Sequence, residues 1–241
     1  MSSVAKIRLF LDHPLAEGQT VPLGRDQAHY LTGVMRLGPG APVAVFDGRS
    51  GEYLAHLDEA GKRSATLVIG RKSAPLRPPP DLWLLFAPIK KARTDFIVEK
   101  AAEMGAARIC PVQTDFTNSE RVRRDRLQAH AVEAAEQCGG TFVPGVDDLR
   151  PLARVLDDWP EERRLMFCDE ALAGPVSALP AKPSPWAILI GPEGGFSPAE
   201  RARLHAHSAA HAVSLGPRIL RADTAAVAAL ALWQAALGDW R

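Results

Sequence analysis

Trp186-Ala-Ile-Leu-Ile-Gly191-Pro192-Glu193-Gly194-Gly195-Phe196-Ser197-Pro198-Ala199-Glu200 contains a strand, a loop and a helix start in fifteen residues. Five consecutive apolar residues predict a strand buried on both faces, because a strand with one wet face would alternate. The glycines predict a tight loop. Ser197 with Glu200 three positions on predicts a capping box, in which each side chain satisfies the other residue's orphaned amide, and Pro198 suits the first helical position.

Working outward, further apolar runs at 82–87, 109–112, 165–168 and 212–215 alternate with helical stretches predicted at 94–104, 125–138, 198–206 and 224–237. That alternation is the mark of a parallel sheet covered by helices on both sides. A second strand-end loop follows, Val213-Ser-Leu215-Gly216-Pro217-Arg218-Ile219-Leu220-Arg221-Ala222-Asp223-Thr224, with Asp223 or Thr224 expected to cap the last helix. Open parallel sheets bind ligands at the carboxyl ends of their strands, so two such loops are expected to converge on one pocket. Neither loop has the spacing of the dinucleotide fingerprint or of the phosphate-binding loop. Arg221 stands beside a helix N-terminus, where a cation opposes the helix dipole, so an anionic neighbour or ligand is expected there.

The front of the chain has a different period. Short β-like runs, Pro42 to Phe46 and Glu52 to Leu57, flank the turn Asp47-Gly48-Arg49-Ser50-Gly51, and a small barrel is expected over residues 1–72, with one helical segment from Asp26 to Met35. The proline-rich stretch 73–80 reads as a semi-rigid linker, and residues 81–241 as the α/β domain.

Composition narrows the function. With 29 basic against 28 acidic side chains, the chain carries no diffuse charge that would coat nucleic acid or membrane, so any such binding must be local. No apolar run is long enough to span a bilayer and the amino terminus lacks a signal-peptide pattern, which predicts a cytoplasmic protein. Cys110, Cys138 and Cys168 are odd in number and widely spaced, so buried reduced thiols are expected. His205, His207 and His211 lack acidic neighbours in sequence and read as surface histidines rather than metal ligands. Trp233 and Trp240 read as core or interface.

The segments IGPEGGFSPAE (190–200), LGPRILRADTA (215–225), APIKKARTDFIVEKAAEMGA (87–106), AVEAAEQCG (131–139), HYLTGVMRLGPG (29–40) and FDGRSGEY (46–53) together resemble the SPOUT-class methyltransferases of the RsmE type, which methylate N3 of a uridine in 16S ribosomal RNA. The resemblance spans nearly the whole chain. It implies an amino-terminal PUA-like β-barrel that binds RNA, a carboxyl-terminal α/β domain with a deep trefoil knot, a homodimer, and S-adenosylmethionine held in the knotted loops. Carried over by motif, the cofactor contacts are Gly191, Glu193, Gly194, Gly195, Leu215, Gly216, Ile219 and Leu220, with Glu170 as a further candidate. The chain departs from the family pattern at Phe116 and Gly140, where arginine is common, at Asp223, where glutamate is common, and at Ala41, where aspartate is frequent.

Methylating uridine N3 requires removal of its proton or stabilisation of the resulting anion. Arg221 is expected to supply the electrostatic part, through paired donors. Glu136, one helical turn from Glu133, is the candidate to accept the proton, against a solvated face or a dimer seam as the structural alternative. Phosphate contacts are expected from Arg8, Arg25, Arg36 and Arg49 in the first domain, and from Lys90, Lys91, Arg93, Arg121, Arg123 and Arg124 in the second. Near-neutral total charge predicts a shaped target, such as an assembled small ribosomal subunit, and no metal is required. Two alternatives share this fold: a non-catalytic ribosome-assembly factor, and a methyltransferase of another RNA base.

Overall fold

In a computed structural model of the protein, which describes residues 5–61, 63–118, 122–172, 174, 179 and 185–240, Trp186–Ile190 forms a strand (β11) buried along its whole length. It pairs in parallel with β10 (Arg164–Cys168) on one side and β6 (Leu82–Phe86) on the other. The sheet continues to β12 (Ala210–Val213) beyond β10. Beyond β6 come β7 (Arg108–Gln113) and the short β8 (Gly145–Val146), with β9 (Arg150–Pro151) also on β7, and every pairing is parallel.

The strand period of two divides the core. On one face Leu82, Leu84, Phe86, Ile188 and Ile190 pack against α2 (Lys91–Glu103), α3 (Arg124–Cys138) and α6 (Ala222–Leu237), through residues such as Ile97, Leu127 and Leu230. On the other, Leu85, Val112, Leu165, Phe167 and Leu189 meet Leu152 and Leu156 of α4 (Leu152–Asp157) and Leu204 of α5 (Pro198–Ala206). Burial on both faces is why these strands read as unbroken apolar runs. The expected capping box is present: Glu200 N donates to Ser197 Oγ at 3.2 Å, and Ser197 N donates to Glu200 Oε2 at 3.0 Å.

The last helix starts two residues earlier than expected. Its N-cap is Arg221, which makes no side-chain cap hydrogen bond, and Asp223 lies within the first turn, where a carboxylate favours the helix dipole. The short helix α4 and strands β8 and β9 are absent from the sequence reading.

Contacts divide the chain into two compact units, one of Met1–Pro78 with Ala135–Phe142, the other of Pro79–Ala134 with Val143–Arg241. The first unit holds a five-stranded sheet, ordered β1 (Arg8–Phe10), β3 (Pro42–Phe46), β4 (Glu52–Ala60), β5 (Ala65–Ala74), β2 (Thr20–Pro22). One core gathers Leu9, Val21, Val45, Leu57 and Leu67 from all five strands, with Ala28 from α1 (Arg25–His29). The expected helix at 26–35 is α1 followed by a π-helical turn, Tyr30–Val34, in which Met35 N donates to Tyr30 O at 2.9 Å. The turn between β3 and β4 is organised by buried Asp47, which accepts from Leu15 N, Arg49 N, Ser50 N and Ser50 Oγ. Burial pushes the Asp47 carboxyl up, but these donors outweigh it and hold its pKa below the ordinary value.

That Ala135–Phe142 belongs to the first unit was not expected, and Arg8 explains it. Its guanidinium donates to Ala135 O (2.6 Å), Glu136 O (2.9 Å) and Gly140 O (2.7 Å), pairs with Glu52 at 2.8 Å, and lies over the Phe46 ring. Gly139, at φ +80°, turns the chain after α3. The proline stretch is likewise tied down, since Arg77 N donates to Thr141 Oγ1 and Thr141 Oγ1 to Pro75 O.

Candidate active site

At the carboxyl ends of β10, β11 and β12 the second unit encloses a cavity of about 320 Å³. Its wall runs from Cys168 to Glu170 after β10, from Ile190 to Glu193 and Gly195 after β11, from Val213 to Gly216 after β12, and through Arg218 to Ala222 into α6. Parallel strands all deliver their loops to this end, so the two glycine loops meet there by topology rather than by nearness in sequence.

Glycine is required at two positions in this wall. A Cβ on Gly191 would stand 2.8 Å from the Phe196 ring, and Gly195 has φ +70°, with the Glu170 carboxylate where its Cβ would be. Leu215, Leu220 and Ile190 supply apolar surface. Of the expected cofactor contacts, Glu170, Gly191, Glu193, Gly195, Leu215, Gly216, Ile219 and Leu220 line the cavity, as does Arg221. Gly194 does not line it. It faces away, with its missing Cβ directed at Phe116.

Several lining residues escaped the sequence reading. Asp169 has a side chain only 1% exposed, with Oδ2 accepting from His205 Nε2 at 2.9 Å and Oδ1 lying 3.2 Å from Arg201 Nη2. Arg201 also pairs with Glu170. Two donor groups thus satisfy a carboxylate that is almost wholly withdrawn from water. His205, exposed as expected, donates from the surface to the cavity-lining Asp169. Ser214, buried, donates to Gly174 O at 3.1 Å. The available signal was position alone: Asp169 and Ser214 each follow the last residue of a core strand.

Arg93 was expected at an RNA phosphate. It stands in the first turn of α2, lines the cavity, donates to Glu193 Oε1 at 2.6 Å, and its Nε is 3.6 Å from Asp223 Oδ2. One guanidinium therefore bridges the loop after β11 and the start of α6. The Arg221 side chain is exposed and has no hydrogen-bond or ion-pair partner among the described residues.

Glu136, expected to accept a proton at this site, is not in the cavity wall. Its Oε1 accepts the Phe10 amide at 2.8 Å within the first unit. Arg8, with its donors engaged by carbonyls and Glu52, is a structural residue rather than a phosphate ligand. Arg25, Arg36 and Arg49 are exposed, and Arg36 adopts φ 55°, a left-handed conformation uncommon outside glycine. Lys90 and Lys91 are exposed at the start of α2. Arg123 pairs with Asp125 at 2.6 Å, Arg124 donates to Val146 O at 2.7 Å, and Arg121 lies outside the described residues.

Among the described residues no helix is long and apolar enough to cross a membrane. The family described as "RNA methyltransferase domain" matches residues 77–234, and "RNA methyltransferase PUA domain" matches residues 23–70. A ribosomal RNA small subunit methyltransferase E from Rickettsia conorii is 28% identical over 231 residues, covering 93% of each chain. The protein of the same name from Synechocystis is 31% identical, over 88% of this chain and 72% of its own. The crystal structure of the Neisseria gonorrhoeae enzyme of that name, bound to S-adenosyl methionine, superposes with a TM-score of 0.89 at 28% identity, covering 98% and 99% of the two chains. The cavity lies wholly within residues 77–234, and the chain belongs to the RNA methyltransferase family.

Proposed function

We propose that this chain transfers a methyl group from S-adenosylmethionine to N3 of a specific uridine in 16S ribosomal RNA. In this reading it works as a homodimer on an assembled small subunit, with the two glycine loops threaded as a trefoil knot. The observation that carries the reading is the strand-end cavity with the Arg221 side chain at its edge, unpartnered among the described residues.

The residues suit the cofactor. Leu215, Leu220 and Ile190 offer apolar surface to an adenine ring, Gly191 and Gly216 leave backbone bare for polar contacts, and the Glu170 and Glu193 carboxylates in the wall are paired with Arg201 and Arg93. When bound, the cofactor supplies an electrophilic methyl group on a sulfonium. The cavity wall orients that group and excludes water, which for an in-line transfer provides much of the rate.

Uridine N3 carries a proton at neutral pH; its release to solvent leaves charge shared with the flanking carbonyl oxygens, and as the N3–methyl bond forms the sulfonium–methyl bond breaks, leaving the neutral thioether S-adenosylhomocysteine. Arg221 presents paired N–H donors to that charge, and among the described residues no existing side-chain bond has to break first. Exposed Arg25, Arg36, Arg49, Lys90 and Lys91 are the candidate phosphate contacts.

The test is restoration. Small subunits isolated from cells lacking this activity are incubated with the purified protein and S-adenosylmethionine, and their nucleosides are measured by mass spectrometry. One N3-methyluridine per 16S RNA is expected. No methylated nucleoside, with the cofactor bound or unbound, would instead favour an assembly factor, and a different methylated base would move the activity elsewhere in the RNA.

A further inference from the structure

Phe116 is an aromatic side chain held in water. It is 43% exposed, and among the described residues no aromatic ring and no cation lies against its face, whereas Phe96, 38% exposed, has the Lys100 ammonium 5.4 Å from its centroid. An exposed phenylalanine by itself is ordinary. This one is distinguished by how firmly it is presented and by what it adjoins.

The loop that carries it, residues 114–118, is closed on itself and tied to α5 through Asp115. Thr114 N donates to Thr117 Oγ1 at 2.8 Å, and Thr117 N donates to Thr114 O at 3.1 Å. Asp115, the residue before the ring, is clamped to the capping box of α5: its amide donates to Glu200 Oε1 at 2.9 Å, and Ser197 Oγ donates to its Oδ2 at 2.5 Å. Glu200 thus uses one carboxylate oxygen to close its own helix and the other to fix this loop. These bonds remove in advance the conformational freedom that a mobile aromatic would lose on binding.

The ring adjoins Gly194. A Cβ at that position would stand 3.4 Å from Phe116 Cβ and 3.7 Å from two ring carbons, so any side chain there would rest on the ring. Glycine leaves it bare. Gly194 is flanked in its loop by Glu193 and Gly195, both of which line the cavity, so the exposed ring stands one residue from the cavity wall.

We propose that Phe116 is a stacking platform for an unpaired base of the RNA substrate, set beside the methyl-transfer cavity by the α5 capping box. The inference rests on the RNA methylation proposed above and adds to it a specificity-determining contact. An aromatic face accepts any base by stacking, and single-stranded bases splayed from their helix are what protein aromatics recognise in RNA. A rigid platform next to the cavity fixes the register of the strand whose uridine enters it.

The test compares Phe116→Ala, Phe116→Leu and Phe116→Trp in methyl transfer to unmethylated small subunits, with calorimetry for S-adenosylmethionine and sedimentation for oligomeric state. Phe116→Ala is expected to raise KM for the subunit about tenfold, with cofactor affinity unchanged. Phe116→Trp should stay within about twofold of the parent, and Phe116→Leu, equally apolar but without a π-face, should behave as the alanine variant does. An unchanged KM in Phe116→Ala overturns the proposal. So does full rescue by leucine, or loss of the dimer, which would place the ring between two copies of the chain. If the parent protein transfers no methyl group, the function proposed above fails, and Phe116 is judged by the anisotropy of a labelled single-stranded RNA. Equal affinity of parent and Phe116→Ala, or no binding by either, then refutes the platform.

Discussion

Removing the Arg93 guanidinium tests whether the two cavity loops are held as one piece. Arg93 Nη1 lies 2.6 Å from Glu193 Oε1, and Nε lies 3.6 Å from Asp223 Oδ2, with side chains 31%, 49% and 19% exposed respectively. At such separations the gross Coulomb attraction is about 5–6 kcal/mol per pair at an effective dielectric of 20. Partial exposure and side-chain entropy reduce the net value of a pair of this kind to about 0.2–1 kcal/mol. Arg93→Ala should therefore cost the fold less than about 1 kcal/mol, a Tm decrease of no more than about 4 °C for a chain of this size. The same energy, expressed at the cavity, predicts a rise in the Kd for S-adenosylmethionine of about fivefold, because ligand binding must now order two loops that the guanidinium had already joined. The assay is a double-mutant cycle by calorimetry with Arg93→Ala, Glu193→Ala and the pair. A coupling energy of about 0.5–1 kcal/mol is expected, diminishing at high salt. Strict additivity would refute the bridge. An unchanged cofactor Kd with a raised KM for RNA would return Arg93 to the phosphate role that its sequence position suggested.

Three further outcomes follow from the same geometry. Arg221→Ala should leave stability within about 0.5 kcal/mol, as for an exposed side chain without partners among the described residues, while lowering kcat by roughly 100- to 1000-fold; full activity with an intact fold would remove Arg221 from the mechanism. Asp47 has a carboxyl pKa held below 3.8 in the folded state, so its contribution to stability is complete above that value and is lost as pH falls through the lower folded value. The stability gap between the parent and Asp47→Asn, read from urea unfolding, should narrow below about pH 4, and a gap that widens in acid would contradict the assignment. Finally, burial pushes the Cys168 thiol up to about 12 and raises Cys110 as well, whereas Cys138, expected to be buried, is exposed. A thiol reagent at pH 8 should label one cysteine in the native protein and three after denaturation, and a second rapidly labelled native thiol would be inconsistent with this burial.

The elements that set the architecture were legible wherever a local rule and the tertiary environment agree. The run Trp186–Ile190 reads as a strand because both faces are buried, and α5 has the bounds expected of it because its capping box and Pro198 act within one helical turn. Side-chain roles decided by partners far along the chain were not legible. Glu136 has carboxylate chemistry suited to a base, yet its partner is an amide 126 residues away. Arg8 reads as a surface cation but is consumed by carbonyls more than a hundred residues distant. At the cavity, the glycine loops were visible as motifs, whereas Asp169 and Ser214 are single polar residues at strand ends, defined by the network around them. The π-helical turn after α1 was hidden because its apolar spacing is compatible with an ordinary helix.

The membership of Ala135–Phe142 in the first unit has a consequence for biogenesis. Synthesis proceeds from the amino terminus, and domains commonly fold as they emerge. Here the strands of the first unit leave the ribosome long before the segment that accepts the Arg8 guanidinium, so a nascent chain released at the proline stretch carries a charged side chain with its carbonyl acceptors still unmade. Cutting the gene at that stretch would yield an amino-terminal fragment lacking an integral piece of itself.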